Sequence, residues 1–292
     1  MQNNNLQENM QLNNEKTSKV DSKVDSKVDS KLEQRKSKSS NLLQPFYKES
    51  FSFEIGIDEA GRGPMFGRVY SAAVVLPKTS SFKYELLKDS KKFTSIKKIN
   101  EVADYIKCNA LYYSICYEDE KIIDSINIRN ATLSAMHKCI NNIINQYNSE
   151  NKCTNKLEST NNIEYNSSKV ETKNSLNDIF YLLVDGNDFK HYTYFNNNML
   201  ESINHILVEG GDNKYCSIAA ASILAKVERD NYIKELCNKY TKLNVYYDLE
   251  KNKGYGTKNH LNGINSYGIS PWHRKTYGSC KYAVINEETY YL

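Results

Sequence analysis

The sequence predicts a mixed-sheet α/β fold, and three observations lead there. Two apolar runs on either side of residue 60 lie close enough to pair as a hairpin. Three later runs of strand character alternate with helix-like stretches. No apolar run approaches the roughly 20 residues that a membrane-crossing helix needs.

Each element follows from its local pattern. Phe53–Ile57 is expected as the first strand and Arg68–Leu76 as its hairpin-like partner. Tyr112–Tyr117 is the third strand and Asn130–Tyr147 a helix. Ile179–Val184 is the fourth strand, and "HILVEGGD" a short fifth that ends at Gly210–Gly211. Ser217–Tyr232 is a helix whose "SIAAASILAK" run of small residues suits close packing on a sheet. Helical or loop structure completes the C-terminus.

Two segments fall outside this plan. Residues 1–50 are rich in Asn, Gln, Lys and Ser, and "SKVDSKVDSKVDSK" repeats a four-residue unit between Ser18 and Lys31. Its Val-only stripe buries too little to fold alone, so a disordered tail is expected. A second low-complexity stretch, about 147–177, reads as a solvated loop insertion, because closure entropy grows slowly with loop length. The domain itself is expected to span 51–292.

Composition sets loose bounds. The chain has 292 residues, with 39 Lys and Arg against 35 Asp and Glu, a formal net charge of +4. That permits a nucleic-acid partner without arguing for one. Seven scattered cysteines, with no C-x-x-C pair, fit a reducing compartment better than a disulfide framework or zinc site. The polar N-terminus lacks the apolar core of a signal peptide. The expected location is intracellular, cytoplasmic or nuclear, with an organelle left open.

The chemistry-bearing signal is acidic. Three strand-like runs end in acid: "GIDEAGRG" with Asp58 and Glu59, "LLVDGN" with Asp185, and "LVEGGDNK" with Asp212. Strand ends of an open α/β sheet gather ligands along one edge. Carboxylates crowded there repel, and a divalent cation relieves the repulsion. Hard oxygen donors without Cys or His favour Mg²⁺ or Mn²⁺ over zinc. Two such ions about 4 Å apart clamp the attacking water and the leaving oxygen of a phosphodiester. Any one of these acids alone reads better as a turn or helix cap; three acidic strand ends in one domain favour metal. The "GRGPMFG" turn is neither a P-loop nor a dinucleotide fingerprint. It reads as a tight loop that lets backbone approach a ligand, with Arg62 set to reach a phosphate or sugar.

These blocks, in order, closely resemble the motifs of type 2 ribonuclease H, the ribonuclease HII family: "DEAGRGP" from Asp58, "DSKKF" from Asp89, "VDGN" from Val184, "GDNKYCSIAAASILAKVERD" from Gly211, "KGYGTKNH" from Lys253 and "WHRKTYG" from Trp272. The resemblance runs from about Phe53 to Gly278 and looks most like bacterial members. It implies a ribonuclease H-like fold, a mixed central sheet flanked by helices with a helical C-terminal part. It implies an endonuclease, expected as a monomer, that acts on RNA–DNA hybrids and on duplex DNA containing ribonucleotides. Asp58, Glu59, Asp185 and Asp212 become the metal-binding and catalytic carboxylates, holding two Mg²⁺ or Mn²⁺ ions. Gly61, Arg62 and Gly63 become the loop that recognises a 2′-hydroxyl. Tyr255 packs on the sugar of the next, deoxy, nucleotide. Lys91 and Lys226 match positions that contact the backbone.

Ser90 and Ser222 are read as support for the site, His260 and His273 as structural, and Glu209 and Asp230 as non-ligands. Lys214 reads as solvated surface. Gly210 stands where the family often has Lys, and Arg68 and Tyr70 where it usually has smaller or apolar residues. Three competing readings are a non-catalytic hybrid-binding protein, a metal-dependent nuclease without ribonucleotide preference, and a sugar- or phosphate-transfer enzyme using the acidic strand ends, which the lack of a nucleotide-binding loop disfavours.

Overall fold

The structure of the protein, a computed structural model, describes residues 42–158 and 175–290. Its strands are β1 (Phe53–Ala60), β2 (Val69–Val75), β3 (Tyr112–Glu118), β4 (Phe180–Asp185), β5 (Thr193–Asn196), β6 (Met199–Ser202) and β7 (His205–Val208). The central sheet has the order β3–β2–β1–β4–β7. Its first three strands are antiparallel, and β4 and β7 run parallel to β1. β5 and β6 form a separate two-stranded hairpin.

β2 is buried along its whole length, and β1 and β4 along most of theirs. Helices cover both faces, which is why these strands read as continuous apolar or small runs instead of alternating ones. Helix α1 (Ile96–Asn109) begins at Ser95, whose hydroxyl accepts from the Lys98 amide at 3.5 Å, and buries Ile99, Val102, Ala103 and Ile106 at three- and four-residue spacing. Helix α2 (Glu120–Glu158) packs Leu133, Met136, Cys139, Ile140 and Ile143 on one sheet face. Helix α3 (Cys216–Lys239) covers the other, with every residue from Cys216 to Ala225 buried. Shorter helices at Thr241–Tyr247, Leu249–Asn252 and Lys258–Tyr267 form the helical C-terminal part.

The expected architecture is present, with four differences. β1 runs on to Ala60, so Asp58 and Glu59 are in the strand and not beyond it. α1 and the β5–β6 hairpin are additions to the expected elements. α2 starts earlier than expected, breaks at Asn127 (φ 67°, ψ 163°), and restarts where the Asn127 side chain accepts from the Asn130 amide at 3.0 Å. α2 also continues past Tyr147 to Glu158, into the stretch expected as a loop insertion.

Residues 159–174 of that insertion, and residues 1–41 with the SKVD repeat, lie outside the described residues. A compact unit begins at Leu43, and the segment ahead of β1 is tied to it. The Gln44 amide donates to the Lys214 carbonyl at 2.8 Å, and Glu54 accepts from the Tyr47 and Lys48 amides at 2.9 and 2.7 Å. Among the described residues no helix is long and apolar enough to cross a membrane.

Gly56 sets how closely α3 lies on the sheet. A β-carbon there would stand 2.1 Å from the Ser217 carbonyl carbon, so helix and strand meet backbone to backbone. Gly56→Ala is expected to destabilise the domain by about 3 kcal/mol, since overpacking forces backbone apart. A thermal melt should show a midpoint lowered by roughly 6–12 °C for a domain of this size.

Candidate active site

The strand pairing brings the sequence-predicted acids to one end of the sheet. Ile57 of β1 is paired with Val184 of β4, so Asp58 and Asp185 are the next residues in parallel register. Successive strand side chains point to opposite faces. Asp58 therefore shares the α3 side with Gly56, while Glu59 turns to the α2 side with Ile57. Asp212 arrives differently, on a one-turn 3-10 helix (Gly211–Asn213) after β7, entered through Gly210 at φ 63°. The Gly211 amide donates to Asp185 Oδ1 at 2.6 Å, which ties that turn to β4.

Asp58 and Asp212 are buried, 5% and 3% exposed. Burial pushes the Asp58 carboxyl well above the ordinary carboxylate range, and the charges of Glu59 and Asp185 push it further; hydrogen bonds from Ser222 and the Glu59 amide oppose this. Burial also raises Glu59, against the pull of Arg62, whose Nη1 is 3.4 Å from Glu59 Oε1. Burial and Asp89 raise Asp212, against Lys91 at 3.6 Å. Lys91 is 81% exposed, so its contact is solvent-screened and worth little. The sheet end thus carries negative charge that its own cations do not neutralise.

The donors are all hard oxygens, which fits Mg²⁺ or Mn²⁺. Among the described residues no three ligating side chains already close on one point. A magnesium shell does not require that, since the ion keeps waters and shares substrate phosphate oxygens with one or two carboxylates.

Asp58, Glu59 and Asp185 line a cleft of about 470 Å³ together with Gly61, Arg62, Gly63, Lys91, Lys226 and Tyr255. Asp212 is outside that lining and reaches the site through its Asp185 and Lys91 neighbours. Ser90 and Ser222 also line the cleft, with their hydroxyl oxygens 3.0 Å apart behind Asp58. α3 supplies Ser222, Lys226, Arg229 and Asp230, which share one face at helical spacing. Asp230 accepts from Lys226 at 2.9 Å, and Glu209 is exposed, so neither adds to the acid cluster.

The glycine loop is held rigidly. Gly61 has φ +96°, and a β-carbon there would stand 2.3 Å from Arg229 Nε, so only glycine fits. Arg274 lies fully buried behind the loop. Its guanidinium donates to the carbonyls of Gly61 (2.6 Å), Arg62 (3.0 Å), Pro64 (2.7 Å), Gly67 (2.8 Å) and Arg68 (3.1 Å). Burial lowers its pKa to about 10, which still leaves it cationic at neutral pH. Arg229 Nη2 donates to the Lys253 carbonyl at 2.8 Å and the Phe66 carbonyl at 3.4 Å, joining the loop to the Tyr255 segment.

Tyr255 is half exposed, and its ring edge lies 3.4 Å from where a Gly63 β-carbon would be. A histidine relay fixes its backbone. The Ser270 amide donates to His273 Nδ1 at 2.9 Å, so the His273 proton sits on Nε2 and is donated to His260 Nε2 at 2.9 Å. His260 then donates from Nδ1 to the Tyr255 carbonyl at 2.9 Å. Burial lowers the pKa of both rings, in keeping with this neutral pair and with the structural roles expected for them.

Arg229, Arg274 and Tyr277 are further residues of the site that no sequence expectation names, although they stand in the "VERD" and "WHRKTYG" blocks. Arg68 and Tyr70 are away from the acids: Arg68 stacks between Tyr117 (3.8 Å) and Tyr232 (4.3 Å) and donates to the Tyr70 hydroxyl at 3.3 Å.

A family model described as Ribonuclease HII matches residues 55–280. The Ribonuclease HII of Phocaeicola vulgatus is 36% identical over 236 residues, covering 81% of this chain and 94% of the relative. That of Caldanaerobacter subterraneus is 39% identical over 231 residues, covering 79% and 76%. Among solved structures, the ribonuclease H2 of Pyrococcus horikoshii superposes with a TM-score of 0.52 at 19% identity, covering 78% of this chain and 95% of its own. The RNase HII of Archaeoglobus fulgidus, solved in complex with PCNA, gives 0.51 at 20% identity, covering 77% and 95%. Both show the same fold.

Folded-state values above the unfolded ones mean that protons favour the folded site. Its contribution is complete below about pH 4, the unfolded carboxylate range, and is lost as pH rises through the raised values of Asp58, Glu59 and Asp212. Asp58→Asn is therefore expected to raise the thermal midpoint of metal-free protein by a few degrees at pH 8 and to leave it nearly unchanged at pH 4. Calorimetry at the two pH values checks this; an equal change at both would contradict it.

Proposed function

The chain belongs to the ribonuclease HII family, an enzyme family of ribonuclease H endonucleases, and from that premise we propose that it hydrolyses the RNA strand of RNA–DNA hybrids and cuts 5′ to ribonucleotides embedded in duplex DNA. The observation that carries this reading is one cleft in which the acids, the glycine loop and Tyr255 adjoin. A site that cuts at a ribonucleotide must examine the 2′-hydroxyl, the group that separates RNA from DNA at one nucleotide.

Asp58, Glu59, Asp185 and Asp212 would hold two Mg²⁺ or Mn²⁺ ions, which supply a nucleophilic water and stabilise the leaving 3′-oxygen. The chain's own groups do the rest. The water oxygen bonds to phosphorus as the bond from phosphorus to the 3′-oxygen breaks, and a proton goes to that oxygen. The products carry 3′-hydroxyl and 5′-phosphate ends. Ser222 and the Gly211 amide fix the carboxylates of Asp58 and Asp185. Gly61, Arg62 and Gly63 examine the ribose, with Arg62 leaning on Glu59 when no substrate draws it away. Tyr255 packs on the following deoxyribose and resists a second ribose there. Lys91 and Lys226 meet backbone phosphates.

The cellular roles that fit are removal of misinserted ribonucleotides and of RNA primers. We read the enzyme as an intracellular monomer; its seven scattered cysteines form no C-x-x-C pair and suit a reducing compartment.

With Mg²⁺, the protein is expected to nick a duplex holding one ribonucleotide and to leave the all-deoxy duplex intact. Asp185→Asn should slow the nick by about 10³-fold, since the site loses one arm of its charge stabilisation. A gel assay with end-labelled strands decides; comparable cutting of both duplexes would reject the role given to the glycine loop. Tyr255→Ala should increase cutting within a run of ribonucleotides relative to cutting at a single one, measured on the same gels.

A further inference from the structure

Arg274 has five N–H donors, and each meets a different carbonyl of the loop, those of Gly61, Arg62, Pro64, Gly67 and Arg68. It is fully buried, and it makes no ion pair with an acid among the described residues. A buried cation partnered by carbonyl dipoles and the Tyr277 ring, 5.1 Å from its centre, with no acid in contact, is costly to keep. Its effect on the loop accounts for that cost.

In a trans peptide the N–H points opposite to the preceding C=O. With the Gly61 and Arg62 carbonyls drawn inward to the guanidinium, the amides of Arg62 and Gly63 are aimed the other way. Arg62 and Gly63 line the cleft, so those two donors face the place a sugar would occupy. A second donor holds the same peptide: Tyr277 Oη donates to the Arg62 carbonyl at 3.0 Å. The Arg274 amide also donates to the Met65 carbonyl at 2.9 Å, so backbone and side chain of one residue grip both ends of the turn.

We propose that Arg274 is the positioning residue for ribose recognition: it turns the loop's carbonyls inward and so presents the Arg62 and Gly63 amides as fixed donors to the 2′-oxygen. This rests on the proposed role of the glycine loop as the ribose reader. Arg274 itself does not touch substrate. Its forked planar donor set is what the task requires, and lysine, with three donors on one nitrogen, cannot hold five carbonyls.

The test compares wild type, Arg274→Lys and Tyr277→Phe on a duplex with one ribonucleotide and on the matching all-deoxy duplex. Arg274→Lys is expected to lower kcat/KM on the ribonucleotide duplex by about 10²-fold, the scale of an ångström-sized misplacement. The fall should lie in kcat. Anisotropy in Ca²⁺ should show its Kd for the all-deoxy duplex within about twofold of wild type, because phosphate contacts are untouched. Tyr277→Phe removes one neutral hydrogen bond of about 1 kcal/mol, so kcat/KM should fall about fivefold. Folded Arg274→Lys that cuts at the wild-type rate, or that loses all-deoxy binding by the same factor as cleavage, overturns the proposal. Should circular dichroism show Arg274→Lys unfolded, Tyr277→Phe decides: wild-type cutting by it overturns the proposal, and a selective loss on the ribonucleotide duplex upholds it. Wild type that fails to distinguish the two duplexes would instead sink the ribose reading itself.

Discussion

The site depends on negative charge gathered where water is scarce. Asp58 and Asp212 are almost wholly buried, and Glu59 and Asp185 adjoin them at the same sheet end. Each carboxylate raises the cost of ionising the next. Packing elsewhere offsets this cost, and the sheet end is left with crowded carboxylates whose repulsion a divalent cation would relieve.

That packing is arranged around the same sheet end. α3 lies against β1 without an intervening side chain at Gly56, and the small residues Ala219–Ala221 extend the close contact. Close approach lets the short Ser222 side chain reach Asp58 from the helix. On the other face α2 buries larger side chains, Leu133, Met136 and Ile140 among them, and leaves Glu59 at its margin. The two faces are built differently because only one of them must bring a helix within hydrogen-bonding distance of the acids.

The C-terminal segment supplies what the sheet cannot. Within 270–277, Ser270 and His273 hold the Tyr255 carbonyl through His260, while Arg274 and Tyr277 hold the glycine loop. The glycine loop and the Tyr255 segment are therefore both fixed from one short stretch of chain. Each group orients backbone, and backbone so pre-organised would lose little entropy on binding a ligand.

The sequence by itself determined the mixed sheet, because the strand runs and the small-residue helix are local patterns. It also pointed to the acids that the fold brings to one sheet end, because Asp58 and Glu59 close a readable run just before a glycine turn, and Asp185 and Asp212 each adjoin a glycine after another. Its motif blocks placed the chain in its family. It did not show α1, whose lysine-rich stripe "SIKKINEVADYIKCN" hides four buried positions, nor the short β5–β6 hairpin. Only the tertiary structure decided the roles of Arg229, Arg274 and Tyr277. Arg274 is 213 residues from Gly61 along the chain, and an arginine's worth in a buried site depends on which carbonyls the fold turns towards it. No local pattern records that, because a guanidinium on the surface and one beneath a loop are spelled the same way.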